Sequence, residues 1–148
     1  MTVDTLETKI QKLLDLNDIH DLITRFGMGL DHRDLALLRS VFPEEKMAGI
    51  TGAVKNAGNL WEFSQHVITD RSIELREDRA TVRANLIGSN IGRRDGEWSG
   101  DAFDAAGRAA YEVRGRYEWQ VVRTAEGWRI DDTNLTYLWS VGAVPSPN

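Results

Sequence analysis

Cysteine is absent from this 148-residue chain, which removes disulfides, a thiolate nucleophile and cysteine metal sites from consideration. Proline occurs only three times, at Pro43, Pro145 and Pro147, so the interior has a single proline stop. No apolar run approaches the ~18 residues that a membrane helix needs, and no apolar core flanked by basic residues opens the chain. Neither export nor membrane insertion is expected, and a cytoplasmic location is the default. A basic stripe is also missing: 18 Lys and Arg stand against 23 Asp and Glu, for a net charge of -5, so nucleic acid is not an expected partner.

What is present is an ordinary globular composition, 41% hydrophobic and 28% charged, in a length that suits a single domain over 1–148. Residues 4–26 carry Leu6, Ile10, Leu13, Leu14, Ile19, Leu22, Ile23 and Phe26 at spacings of three and four, which predicts an amphipathic helix capped by Asp4 or Thr5. Gly27 and Gly29 cost a helix about 1 kcal/mol each and mark its weakening or a close approach to another backbone. Asp34 then caps a short second helix, which Pro43 ends. From Glu44 to Trp61 the pattern is poor, with Met47, Ile50 and Val54 interleaved with glycines; a loop, a short strand or part of a helix all fit, and the segment suits a lid or pocket wall.

Beyond Trp61 the apolar period becomes two. Phe63–Leu75 and Ala80–Ile91 form a predicted hairpin around Glu77-Asp78, and 93–107 reads as an exposed loop. Strands follow over Ala109–Thr124 and Trp128–Trp139 with a turn at Glu126-Gly127, and the tail 143–148 is expected to be disordered. Helices first and antiparallel strands afterwards predict an α+β fold in which a curved sheet wraps the long helix.

An aspartate at the end of an apolar helix face is costly unless paired, which singles out Asp31, and the best partner in the chain is His66. A carboxylate beside an imidazole fixes its tautomer and stabilises its charged form, so the pair suits general acid or base catalysis at neutral pH. The plainer alternative is that Asp31 caps a loop and His66 is a hydrogen-bonded strand-end histidine. His20 and His32 read as surface or capping residues, and no histidine pair has metalloprotease spacing, so no metal site is expected. Trp61, Tyr117, Trp119, Tyr137 and Trp139 offer flat apolar area for a ring-shaped ligand or fill for the core, and Asn90, Thr133 and Tyr137 are polar pocket candidates.

The stretches L-N-D-I-H-D-L-I at 16–23, G-L-D-H-R-D at 29–34, S-Q-H-V-I-T-D at 64–70 and G-R-Y at 115–117, leading to V-R-T-A-E-G-W-R-I at 122–130, resemble the SnoaL-like branch of the nuclear-transport-factor-2-like superfamily. That group includes scytalone dehydratase and bile-acid dehydratase. The resemblance implies a cone-shaped sheet around the first helix, a cofactor-free pocket for a hydrophobic, cyclic, oxygenated small molecule, and a homodimer or homotrimer built through the sheet. It also implies that Asp31 and His66 form a catalytic dyad for dehydration or isomerisation. The chain departs from the pattern where relatives carry tyrosine, at Leu30 and Phe26, which become candidate substrate contacts, and where scytalone dehydratase has a second histidine, at Asn90. Tyr137 is a candidate replacement for the missing hydroxyl. Those departures keep open a non-catalytic ligand-binding or assembly module of the same fold; a polyketide-type cyclase and an epoxide hydrolase are further alternatives.

Overall fold

The computed structural model describes residues 3–100 and 103–146. Helix α1 spans Leu6–His32, with the Thr5 hydroxyl accepting from Thr8 N–H at 3.2 Å as its N-cap. It continues past the point where the glycines were expected to weaken it, because they serve packing. A Cβ at Gly29 would lie 2.6 Å from Leu38 Cδ2, and one at Gly27 would lie 3.4 Å from Ile68 Cδ1. The missing side chains let α1 press against the second helix and the first strand. The consequence for function is that Asp31 sits in the last helical turn instead of a loose joint.

Helix α2 (Leu35–Arg39) begins where Asp34 Oδ1 accepts from Leu37 N–H at 2.9 Å. The segment with the poor pattern is helical: a 3₁₀ turn over Glu44–Lys46 leads into α3 (Met47–Leu60). Its stripe of Met47, Ile50 and Val54 faces the core, while Gly49 and Gly52 meet nothing within 4 Å and only dilute the pattern.

Four long strands form an antiparallel meander in the order β1-β2-β4-β5: β1 (Trp61–Arg76), β2 (Arg79–Gly92), β4 (Ala110–Thr124) and β5 (Gly127–Gly142). Register shifts between Thr69 and Ser72 in β1, and at two points along β5, bend the sheet. The bent sheet closes around α1. Its concave face presents Ala80, Val82, Ala84 and Leu86 from β2 and Val113, Tyr117, Trp119 and Val121 from β4 to Ile19, Leu22, Ile23 and Phe26 of α1.

The loop expected over 93–107 holds a short strand β3 (Trp98–Ser99), which pairs with β6 (Val144–Pro145). The tail expected to fray is therefore tied down as far as Pro145, and Ser146 N–H donates to Glu97 O at 2.9 Å; Pro147 and Asn148 lie outside the described residues. Apolar contact explains the anchoring: Trp98 packs over Gly92 and stacks toward Trp61, with ring centroids 5.0 Å apart.

Candidate active site

Two elements bring Asp31 and His66 together. The last turn of α1 crosses the open edge of β1, and His66 lies opposite Gly88 of β2, so its outer side has no strand partner. The Asp31 carboxylate takes that place, accepting the backbone N–H of His66 at 3.0 and 3.1 Å and contacting ring Nδ1 at 2.6 Å. Both side chains are about one-fifth exposed. A carboxylate at this contact requires the proton on Nδ1, which leaves the lone pair of a neutral imidazole on Nε2. Among the described residues Nε2 has no hydrogen-bond partner.

His66 lines a cavity of about 260 Å³. Leu30 of α1, Ala53, Val54 and Ala57 of α3 and Trp61 at the start of β1 make its apolar walls. Ser64, Asn90 and Arg33 add polar groups beside the imidazole. Trp61 is held by stacking on Tyr111, with centroids 5.7 Å apart and planes within 9°, so this wall is a braced aromatic surface. On its other side Asp31 borders a second, more open cavity of about 570 Å³ with Glu62, Gln65 and Ser89. A groove of about 560 Å³ at the far end of α1, between Gln11, Asp15 and Arg123, contains an ion pair and no histidine.

Of the residues singled out from sequence, Leu30, Trp61, Asn90 and His66 share the cavity, and Asp31 stands directly behind His66. Phe26, Tyr117 and Trp119 do not line it. They form one buried aromatic stack, Phe26 edge-on to both others and Tyr117 against Trp119 at 4.5 Å between centroids. Their role is core. Desolvation, followed by the charges of Tyr137 and Asp31, raises the Tyr117 phenol well above its ordinary range. Trp119 Nε1 is buried without an acceptor among the described residues.

Thr133 and Tyr137 lie on β5, three strands from β1 in the sheet, a lateral separation of roughly 14 Å at about 4.8 Å per strand. Tyr137 is 67% exposed and does not supply a hydroxyl to the cavity. Sequence reasoning missed Arg33, Ser64 and the alanines of α3. Only Arg33 left a signal, since it lies two residues after Asp31 in the D-H-R-D run.

Among the described residues no group of three His, Cys, Asp or Glu side chains is arranged to hold a metal ion, and no helix is long and apolar enough to cross a membrane. No curated protein matches the chain. Among solved structures it resembles Kfla4162 protein from Kribbella flavida, with a TM-score of 0.75 and 21% identity over 88% of this chain and 95% of that one. It also resembles a type 2 hexachlorocyclohexane dehydrochlorinase, LinA, at TM-score 0.76 and 14% identity, over 90% of this chain and 92% of that one. A third is a protein provisionally named scytalone dehydratase from Novosphingobium aromaticivorans DSM 12444, at 0.72 and 16%, over 90% of each chain. These likenesses show the fold alone, an α+β arrangement of a long first helix and a curved antiparallel sheet. The SnoaL-like domain model matches residues 11–134, and with that match over most of its length the chain belongs to the SnoaL-like family.

Proposed function

We propose that this protein is a cofactor-independent lyase or isomerase in which His66 moves a proton and Asp31 orients it. One observation carries the reading: His66 Nδ1 is held 2.6 Å from the Asp31 carboxylate while the same imidazole lines an apolar cavity with Nε2 unpartnered. The lone pair on Nε2 takes a proton from a carbon made acidic by a neighbouring carbonyl. The C–H electron pair becomes part of a double bond. The imidazolium, stabilised by the carboxylate behind it, then returns the proton, either to hydroxide leaving the adjacent carbon, which departs as water, or to a different carbon, which shifts the double bond. Proton transfers of this kind account for about 10² to 10⁴ in rate, and neither route calls for an electron carrier.

Ser64 and Asn90 provide donors for a substrate oxygen, and the walls from Leu30 to Trp61 suit a flat, hydrophobic ring. The similarity to proteins named as a dehydrochlorinase and a scytalone dehydratase supports an elimination, and dehydration is the preferred assignment. The test follows absorbance as a panel of cyclic β-hydroxy ketones loses water to the conjugated enone. His66→Ala and Asp31→Asn should each lower turnover by about 10² to 10⁴ while keeping a cooperative melting transition. Equal turnover in either variant removes the mechanism.

The same reading includes self-association through the convex face of the sheet. Val67 pairs with Ile87, Ile87 with Arg114 and Arg114 with Trp139, giving a row across all four strands, and Phe63 and Val141 flank it with more than half their surface exposed. Arg114 interrupts the row, but its exposed apolar members Val67, Ile87 and Trp139, together with Phe63 and Val141, are the kind of surface cluster that an interface covers. Analytical ultracentrifugation of Trp139→Glu against the parent chain tests it, with a lower oligomer expected and an unchanged mass decisive against it.

A further inference from the structure

Arg33 occupies a backbone conformation that normally goes to glycine. It is the left-handed C-cap of α1, at φ 54° and ψ 37°, with its N–H donating to Gly29 O and Leu30 O. Non-glycine residues take this region at some cost, and such strain collects at functional positions. Here it sends the side chain across the end of α3, where Gly58 leaves room: a Cβ on Gly58 would lie 3.3 Å from Arg33 Nε. One guanidinium N–H donates to Trp61 O. Among the described residues Arg33 has no carboxylate partner, whereas Arg25, Arg39, Arg83, Arg108 and Arg123 all do. The guanidinium is a permanent cation in the wall of the His66 cavity, whose other lining groups, the imidazole aside, are neutral.

We infer that the ligand of this cavity carries a carboxylate, bound by Arg33 at one end while its apolar body lies against Trp61, Val54 and Leu30. The inference rests on the reading of the cavity as a substrate site and names the substrate class as a small, ring-sized organic acid. A guanidinium with four of its five N–H groups left over matches the two oxygens of a carboxylate, and a half-buried site strengthens that charge-assisted pairing. The lone contact to Trp61 O aims the group and leaves its donors largely free.

Benzoate and its neutral isostere benzamide serve as probes in calorimetric titrations at pH 7.5. Benzoate should bind at least about tenfold more tightly than benzamide, about 1.4 kcal/mol. Arg33→Gln and Arg33→Gly should each erase that ratio, and Arg33→Lys should restore part of it. The glycine variant suits the left-handed backbone, so its fold is retained and its melting temperature holds near that of the parent chain. A purely structural arginine gives the opposite pattern, lower melting temperatures in both variants with the benzoate preference intact. No saturable benzoate binding, equal affinity for the two probes, or a preference that vanishes in His66→Asn yet survives in Arg33→Gln overturns the inference. Because binding is read without turnover, an inactive His66 mechanism and a neutral ligand give separate results.

Discussion

The Asp31 carboxylate holds His66 at two points, its ring Nδ1 at 2.6 Å and its backbone N–H at 3.0 Å, so one side chain fixes both the imidazole and the strand that carries it. The two contacts separate by mutation. In Asp31→Asn the amide oxygen still accepts the backbone N–H, which keeps the strand edge satisfied, but an NH₂ turned toward Nδ1 favours the opposite tautomer, with the proton on Nε2. Stability should fall by under about 1 kcal/mol while the rate drops about 10² to 10⁴. Asp31→Ala leaves the half-buried N–H without a partner and should cost about 1–3 kcal/mol as well. Urea denaturation and imidazole ¹⁵N shifts distinguish the two.

Acid stability should depend on Asp15, the one buried charged residue among the described residues, 5% exposed. Arg123 grips it with two N–H groups at 2.8 Å and stacks over Trp128, whose indole N–H also reaches Asp15. The hydrogen bond from Arg123, opposed by burial and aided by Trp128 and Gln11, holds the carboxyl below its usual range. A lowered folded value means that the stabilisation is complete above the unfolded value near ~3.9 and disappears as pH falls through the folded one. Asp15→Asn should cost about 1–3 kcal/mol at pH 7. The deficit should shrink below pH 4 in denaturation curves taken from pH 7 down to pH 2.

Much of this arrangement was legible from periodicity. Alternation over Ala80–Leu86 and the three-and-four spacing from Ile19 to Phe26 placed the buried face correctly, because burial on one side imposes that pattern, whereas Leu6, Ile10, Leu13 and Leu14 at the start of the same helical stripe are exposed. The pairing of Asp31 with His66, 35 residues apart in sequence, was anticipated from the cost of an unpaired carboxylate together with the family resemblance. Helix α3 was obscured by glycines on its solvent side. Tyr117, Trp119 and Phe26 show a different limit: alternation marks a residue as inward-facing, and an inward aromatic is equally suited to filling the core or lining a cavity. Arg33 was hidden because its importance comes from a left-handed backbone angle, which residue type does not announce in a run of polar side chains.

Two kinds of glycine in the helices predict opposite responses to alanine. At Gly29 a methyl meets Leu38 Cγ at 2.7 Å as well as Cδ2, so the whole isobutyl group must move in a packed site, and the helix-propensity gain of about 1 kcal/mol is outweighed by about 1–3 kcal/mol of overpacking. Gly29→Ala should lower the melting temperature and shift Asp31, two residues on. At Gly49 and Gly52 the added methyl points into open space, and each substitution should stabilise α3 by about 0.5–1 kcal/mol. Thermal melts of the three single variants check the signs.

Alkaline stability should be set in part by Tyr117, 6% exposed between Phe26 and Trp119. Burial, then the nearby Tyr137 and Asp31 groups, raises its phenol far above the ordinary value, so the folded chain holds it neutral. The unfolded chain releases the proton near pH ~10. The sign follows: a raised folded value gives stability that is whole below pH ~10 and is lost progressively above it, because only the unfolded state gains from ionisation. The parent chain should therefore melt at steadily lower temperature between pH 10 and 11.5. Tyr117→Phe keeps the ring stack but removes the ionisation, so its melting temperature should fall less steeply over the same interval. Equal slopes for the two proteins would place the alkaline transition elsewhere in the fold.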